Sequence, residues 1–117
     1  MKEPPREKTY NIGELQITVE QLKAKLDKGE KPVIVDVREP SEYKRANIGG
    51  ILIPLGEIVK RYSELDTNQE IVVLCHHGSR SQRAVEFLHE KGFTNVKNLV
   101  GGIEAWSKRV DPKVPRY

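Results

Sequence analysis

One cysteine, Cys75, stands alone in 117 residues, so no intrachain disulfide can form and no cysteine-rich zinc site can be built. Aromatic residues are scarce, at 6%. They are not interleaved with a basic stripe, as a nucleic-acid surface requires, and nucleic acid is excluded as a partner. No apolar run approaches the roughly 20 residues of a membrane helix, which excludes a spanning protein. The opening MKEPPREKTY is charged and proline-bearing and has no apolar h-region, so the expectation is a cytoplasmic protein without a secretory signal. Charge of one sign is also in short supply. The net +3 is matched by Lys108, Arg109, Lys113 and Arg116 against Asp111, and the rest of the chain sums to zero.

What is present suits a single domain. The length is that of one ordinary folding unit, and surface scaling has roughly two-thirds of the extended surface buried on folding. Residues 1–13 read as an irregular lead-in, 14–108 as the domain and 109–117 as a basic C-terminal tail.

Strand and helix signals alternate. Thr18 and Gln21 form a capping box, Leu22 and Leu26 follow at helical spacing, and Gly29 is a left-handed stop. Residues 32–37 are an apolar β-branched run, as in a strand buried on both faces. A helical turn is expected over 39–43 and a short strand over 51–53. A helix is expected over 54–62 with Leu55, Ile58, Val59 and Tyr62 inward. Residues 71–74 make a third strand, and a helix beginning near Ser81 carries Ala84, Val85, Phe87 and Leu88 on one face before stopping at Gly92. A strand over 96–100, a Gly101-Gly102 turn and a short helix over 103–108 complete the pattern. This alternation predicts an α/β domain, a parallel β-sheet flanked by helices on both faces.

Sites in such sheets form beyond the carboxyl ends of the strands, where three clusters fall: Asp36-Val37-Arg38, the run from Cys75 to Arg80, and Gly101-Gly102. In the middle cluster the cysteine directly follows a buried strand and a helix begins soon after. The tight turn between them, with Gly78 free to take an unusual dihedral, aims amide hydrogens inward as an anion-binding nest. The helix start and Arg80 add positive potential, and such surroundings favour thiolate over thiol. His76 and His77 read as pocket-rim residues. Three adjacent side chains rarely aim at one ion, so Cys75, His76 and His77 are not read as a metal site. Asp36 and Arg38 read as a charged pair bracing neighbouring loops, Glu42 as bonding the turn that holds Asn47, and Trp106 as a core plug.

From about Ile17 to Trp106 the chain resembles the rhodanese homology domain in its single-domain form. The markers are Ile34-Val35-Asp36-Val37-Arg38-Glu39, Glu42-Tyr43, Ile53-Pro54-Leu55, the loop from Cys75 to Ser81, Gly92-Phe93-Thr94-Asn95-Val96, and Asn98-Leu99 with the stretch from Gly101 to Trp106. The resemblance implies that Cys75 accepts a sulfane sulfur as a persulfide. It implies further that the loop formed by His76, His77, Gly78, Ser79 and Arg80 binds the substrate, with Arg80 facing the anionic end of the donor. The implied partners are thiosulfate or a persulfide as donor and a thiol or protein as acceptor, with no cofactor or metal. Asn47 stands where the family usually has a histidine that braces the loop between strands, and its amide can still give and take hydrogen bonds.

Two other functions are weighed. A sulfur-relay or protein-interaction module would pass sulfur only to a specific partner. A phosphatase or arsenate reductase would place arginine six positions after the cysteine, because a phosphoryl oxyanion needs a wider cup; here Arg80 follows at five.

Overall fold

A computed structural model describes residues 12–117, so most of the lead-in expected over 1–13 lies outside the described residues. Five strands form one parallel sheet: β1 (Gln16–Ile17), β2 (Val33–Asp36), β3 (Ile51–Leu52), β4 (Ile71–Leu74) and β5 (Val96–Leu99), in the spatial order β1-β5-β4-β2-β3. The helices are α1 (Val19–Asp27), α2 (Pro40–Arg45), α3 (Ile58–Arg61), α4 (Ser79–Glu90) and α5 (Gly102–Arg109).

All four residues of β4 are buried, because this central strand is covered on both faces. One core joins Val35, Ile71, Val73, Ala84, Val85 and Leu88 beneath α3 and α4. The other joins Leu22, Val72, Leu74, Ile103 and Trp106 beneath α1 and α5. The alternation of β4 side chains between the two follows from the two-residue period of a strand. The expected parallel sheet with helices on both faces is therefore found, and Trp106 does sit in the core.

Local signals with their partners close in sequence read correctly. The Thr18 hydroxyl accepts from the Gln21 amide at 3.1 Å and the Gln21 side chain accepts from the Thr18 amide at 2.9 Å. Two expectations change. The segment expected as one helix over 54–62 is a 3-10 turn (Leu55–Glu57), the single turn α3 and a second 3-10 turn (Tyr62–Glu64). The change of pitch rotates Val59 outward to 64% exposure, because 3-10 and α turns advance by different angles. The helix expected from Ser81 begins at Ser79, with Gly78 as N-cap at φ 114°, so Arg80 lies in its first turn.

The order β5-β4-β2 places the ends of these three strands side by side, and the three polar clusters therefore meet at one edge. Two backbone hydrogen bonds join α5 to the Cys75 loop. The Ile103 amide donates to the Cys75 carbonyl at 3.0 Å and the Glu104 amide to the His76 carbonyl at 3.1 Å. A Cβ at Gly102 would lie 2.4 Å from the His76 carbonyl oxygen, and its φ is 61°, so only glycine fits on both counts.

Candidate active site

Cys75 directly follows β4 and is 1% exposed. Two donors meet its sulfur: the Gly78 amide at 3.0 Å and the Ser81 hydroxyl at 3.2 Å. Gly78 itself takes a positive φ of 114° where the chain leaves this turn and enters α4. Ser81 is wholly buried in the first turn of α4, one position after Arg80.

The Ser81 hydroxyl has one proton and three neighbours, for it also lies 3.2 Å from the Gly78 carbonyl and in a short contact with Asn98 Oδ1. Asn98, on β5, donates its Nδ2 to the Gly78 carbonyl and to Gln82 Oε1, each at 3.2 Å. Hydroxyl rotation therefore offers the proton to sulfur or to amide oxygen. Neither Ser81 nor Asn98 was picked out as a site residue from sequence. The available signal was a buried amide inside the strand run Val96-Lys97-Asn98-Leu99, where a side chain for the core would be apolar.

The nest residues divide. His77 and Ser79 are exposed, and Gly78 alone among the loop amides bonds Sγ among the described residues. Arg80 is one-third exposed and clamped by Glu42, with Nη1 to Oε1 at 2.6 Å and Nη2 to Oε2 at 2.9 Å. This fork-to-fork pair holds the Glu42 carboxyl down to about 2, against some opposition from burial. Glu42 also receives the Tyr117 hydroxyl at 2.8 Å. Its side chain thus serves Arg80 and Tyr117, whereas Asn47 folds its own turn, giving Nδ2 to the Tyr43 carbonyl and accepting the Gly49 amide, both at 3.0 Å.

Asp36 and Arg38 form a buried pair at 2.7 Å. The guanidinium also donates to the Ala46 carbonyl at 2.6 Å and to the Tyr117 oxygen at 2.7 Å. The pair thereby ties the end of β2 to the end of α2. Removing one partner would strand the other charge in the interior, at a cost of about 3–5 kcal/mol.

His76, His77 and Glu104 bring one ligand atom each within 4.8 Å of one another. The two imidazoles are stacked at 3.9 Å with an interplanar angle of 28°. Their in-plane lone pairs consequently run side by side instead of converging. Glu104 is also engaged by Arg116 at 2.8 Å. This is not a preorganised cation site. Burial, reinforced by the neighbouring His77, lowers the pKa of His76 and keeps the ring neutral into more acidic solution.

The fold and this edge define a class: a parallel α/β domain that presents one cysteine sulfur between a strand end and a helix start, with amide and hydroxyl donors already aimed at it. The family model described as Rhodanese-like domain matches residues 18–109. The chain belongs to the rhodanese-like family. It is 42% identical over 97 residues to a Bacillus subtilis protein named "Putative sulfur carrier protein YrkF", covering 82% of this chain and 52% of that one; the chain thus spans about half of that relative. It is 36% identical to the thiosulfate sulfurtransferase GlpE of Pseudoalteromonas translucida, covering 86% of this chain and 95% of that protein. A rhodanese-related protein from Thermoplasma volcanium superposes with a TM-score of 0.76 at 32% identity, over 87% of this chain and 98% of the other. The names of the first two relatives both concern sulfur, one as a putative carrier and one as a thiosulfate sulfurtransferase. Among the described residues no helix is long and apolar enough to cross a membrane.

Proposed function

We propose that the protein is a sulfurtransferase in which Cys75 carries the sulfur. The Cys75 thiolate attacks the sulfane sulfur of thiosulfate. The sulfur–sulfur bond of the donor breaks, its electron pair leaves with sulfite, and a Cys75 persulfide anion remains. A thiophilic acceptor then attacks the outer sulfur, the new sulfur–sulfur bond breaks, and the Cys75 thiolate returns. Charge balances in both halves, and no group besides the chain is called upon. The observation that carries this reading is the pair of donors, Gly78 N–H and Ser81 O–H, within hydrogen-bond reach of the sulfur of the one cysteine. Such donors stabilise negative charge on sulfur. The short loop from Cys75 to Arg80, with arginine five positions after the cysteine, suits one added atom better than a tetrahedral phosphate.

A second reading, a relay that takes sulfur from a protein persulfide and hands it to a protein, is favoured by one feature. The Arg80 charge is held against Glu42, so a free dianion meets less unpaired positive charge than an unpaired arginine would offer.

Turnover of thiosulfate with cyanide separates the readings. We expect thiocyanate formation that Cys75→Ala abolishes; formation indifferent to this substitution rejects Cys75 as the carrier. Intact mass after incubation with a persulfide-generating desulfurase gives the second arm. A sulfur atom gained on Cys75 without thiosulfate turnover selects the relay, and no gain from any donor rejects both.

A further inference from the structure

After α5, residues 110–117 turn back across the domain. The Val110 and Asp111 amides both donate to the Trp106 carbonyl at 2.9 Å, and the Ser107 hydroxyl donates to the Val114 carbonyl at 2.6 Å. Val110, Val114 and Tyr117 pack against the core beneath α1 and α5. Arg116 holds Glu104 at 2.8 Å. Arg116 thus finds an acidic partner on its own domain, and the segment reaches the reactive edge at Tyr117.

Tyr117 is the point of contact. Its ring stacks on His76, the residue after Cys75, at 4.1 Å with a 9° interplanar angle. Its oxygen accepts from Arg38 at 2.7 Å and donates to Glu42 at 2.8 Å. The guanidinium carbons of Arg38 and Arg45 each lie 5.6 Å from the ring centre. Glu42 in turn clamps Arg80, whose charge is within electrostatic reach of both Cys75 and the Tyr117 phenol. Tyr117 therefore spans from the residue beside the sulfur to the carboxylate that holds the loop arginine.

We infer that Tyr117 is a specificity-determining residue of the Cys75 site, a wall on its His76 side that admits small sulfur donors and acceptors and turns away the surface of a folded protein while residues 110–117 are seated. The inference rests on the reading of Cys75 as the reacting group. It adds a ranking of partners by size. Small anions pass beside the ring, whereas a protein partner requires the segment to lift. The bonds that seat it are those just named: two hydrogen bonds to charged groups, one ring stack and the anchors at Ser107 and Glu104.

The test is alkylation of Cys75 in the full chain by two reagents with the same reactive group, N-ethylmaleimide and a maleimide on a long polyethylene glycol chain. The bulky reagent reads the unseated fraction and the small one reads intrinsic reactivity. For Tyr117→Ala we expect the bulky-to-small rate ratio to rise about tenfold, as loss of charge-assisted bonds of ordinary strength implies. Tyr117→Phe keeps the ring on His76 and loses both bonds to oxygen, so its ratio should fall between. A ratio unchanged in Tyr117→Ala overturns the inference. So does an equal rise in both rates, which would mean that the ring alters reactivity and not access. The readout needs only the thiol. Failure of sulfur uptake would therefore sink the transfer reading and leave the result for Tyr117 standing.

Discussion

At the scale of single residues, one proton on Ser81 governs how the sulfur is served. When Cys75 carries charge, rotation of the hydroxyl toward Sγ leaves Asn98 Oδ1 without its donor, so the two demands compete. A hydrogen bond to a charged group is worth about 1.5–3 kcal/mol. Ser81→Ala should therefore slow persulfide formation about 10- to 100-fold, measured by single-turnover appearance of sulfite, and loss of less than about twofold would remove Ser81 from the mechanism. Glu42 sets the second residue-level prediction. Its pKa lies near 2 in the folded protein because of the Arg80 bonds, against roughly 4.3 for a free carboxyl. A depressed carboxyl contributes stability that is full above the unfolded value and is lost as pH falls through the folded one. The stability gap between the wild type and Glu42→Gln should be constant near neutrality and close between about pH 4.5 and 2. Denaturant midpoints across that range measure it, and a gap independent of pH would place the clamp's contribution elsewhere.

At the scale of elements, legibility followed the distance over which the determining contacts act. The α1 capping box and the stops at Gly29 and Gly92 were readable because their partners lie within a turn. The start of α4 was misplaced by two residues, since its N-cap is a glycine with a positive φ and no capping side chain. Val59 was misassigned because the pitch alternates around α3. Strand β1, two residues long, leaves too short a pattern to see. The Glu42–Arg80 clamp joins residues 38 apart, and the Arg38–Tyr117 bond joins residues 79 apart; no local pattern announces either. The same logic makes the α5 start fragile. Gly102→Ala meets backbone oxygen and a positive φ together, and we expect a loss of about 3 kcal/mol or more in unfolding free energy. A loss below about 1 kcal/mol would show that the loop yields without strain.

For the molecule as a whole, β4 belongs to both cores, with alternate residues committed to opposite faces. Neither layer of helices can then come away while the sheet remains. Leu88→Ala opens a cavity in the core under α4, at a cost of about 2–5 kcal/mol, or roughly 10–30 °C in Tm for a domain of this size. Trp106 lies in the opposite core. Its fluorescence should nevertheless report the same lowered midpoint as far-ultraviolet circular dichroism, and a split between the two probes would show that the layers unfold separately.

The amides of Ile103 and Glu104 take hold of the Cys75 and His76 carbonyls, and that grip reaches further than tethering. In a planar trans peptide the hydrogen lies opposite the oxygen. With both oxygens drawn toward α5, the hydrogens of His76 and His77 must face the other way. The first two peptides of the curl are thereby sorted by polarity, their lone pairs spent on one helix and their hydrogens turned away from it.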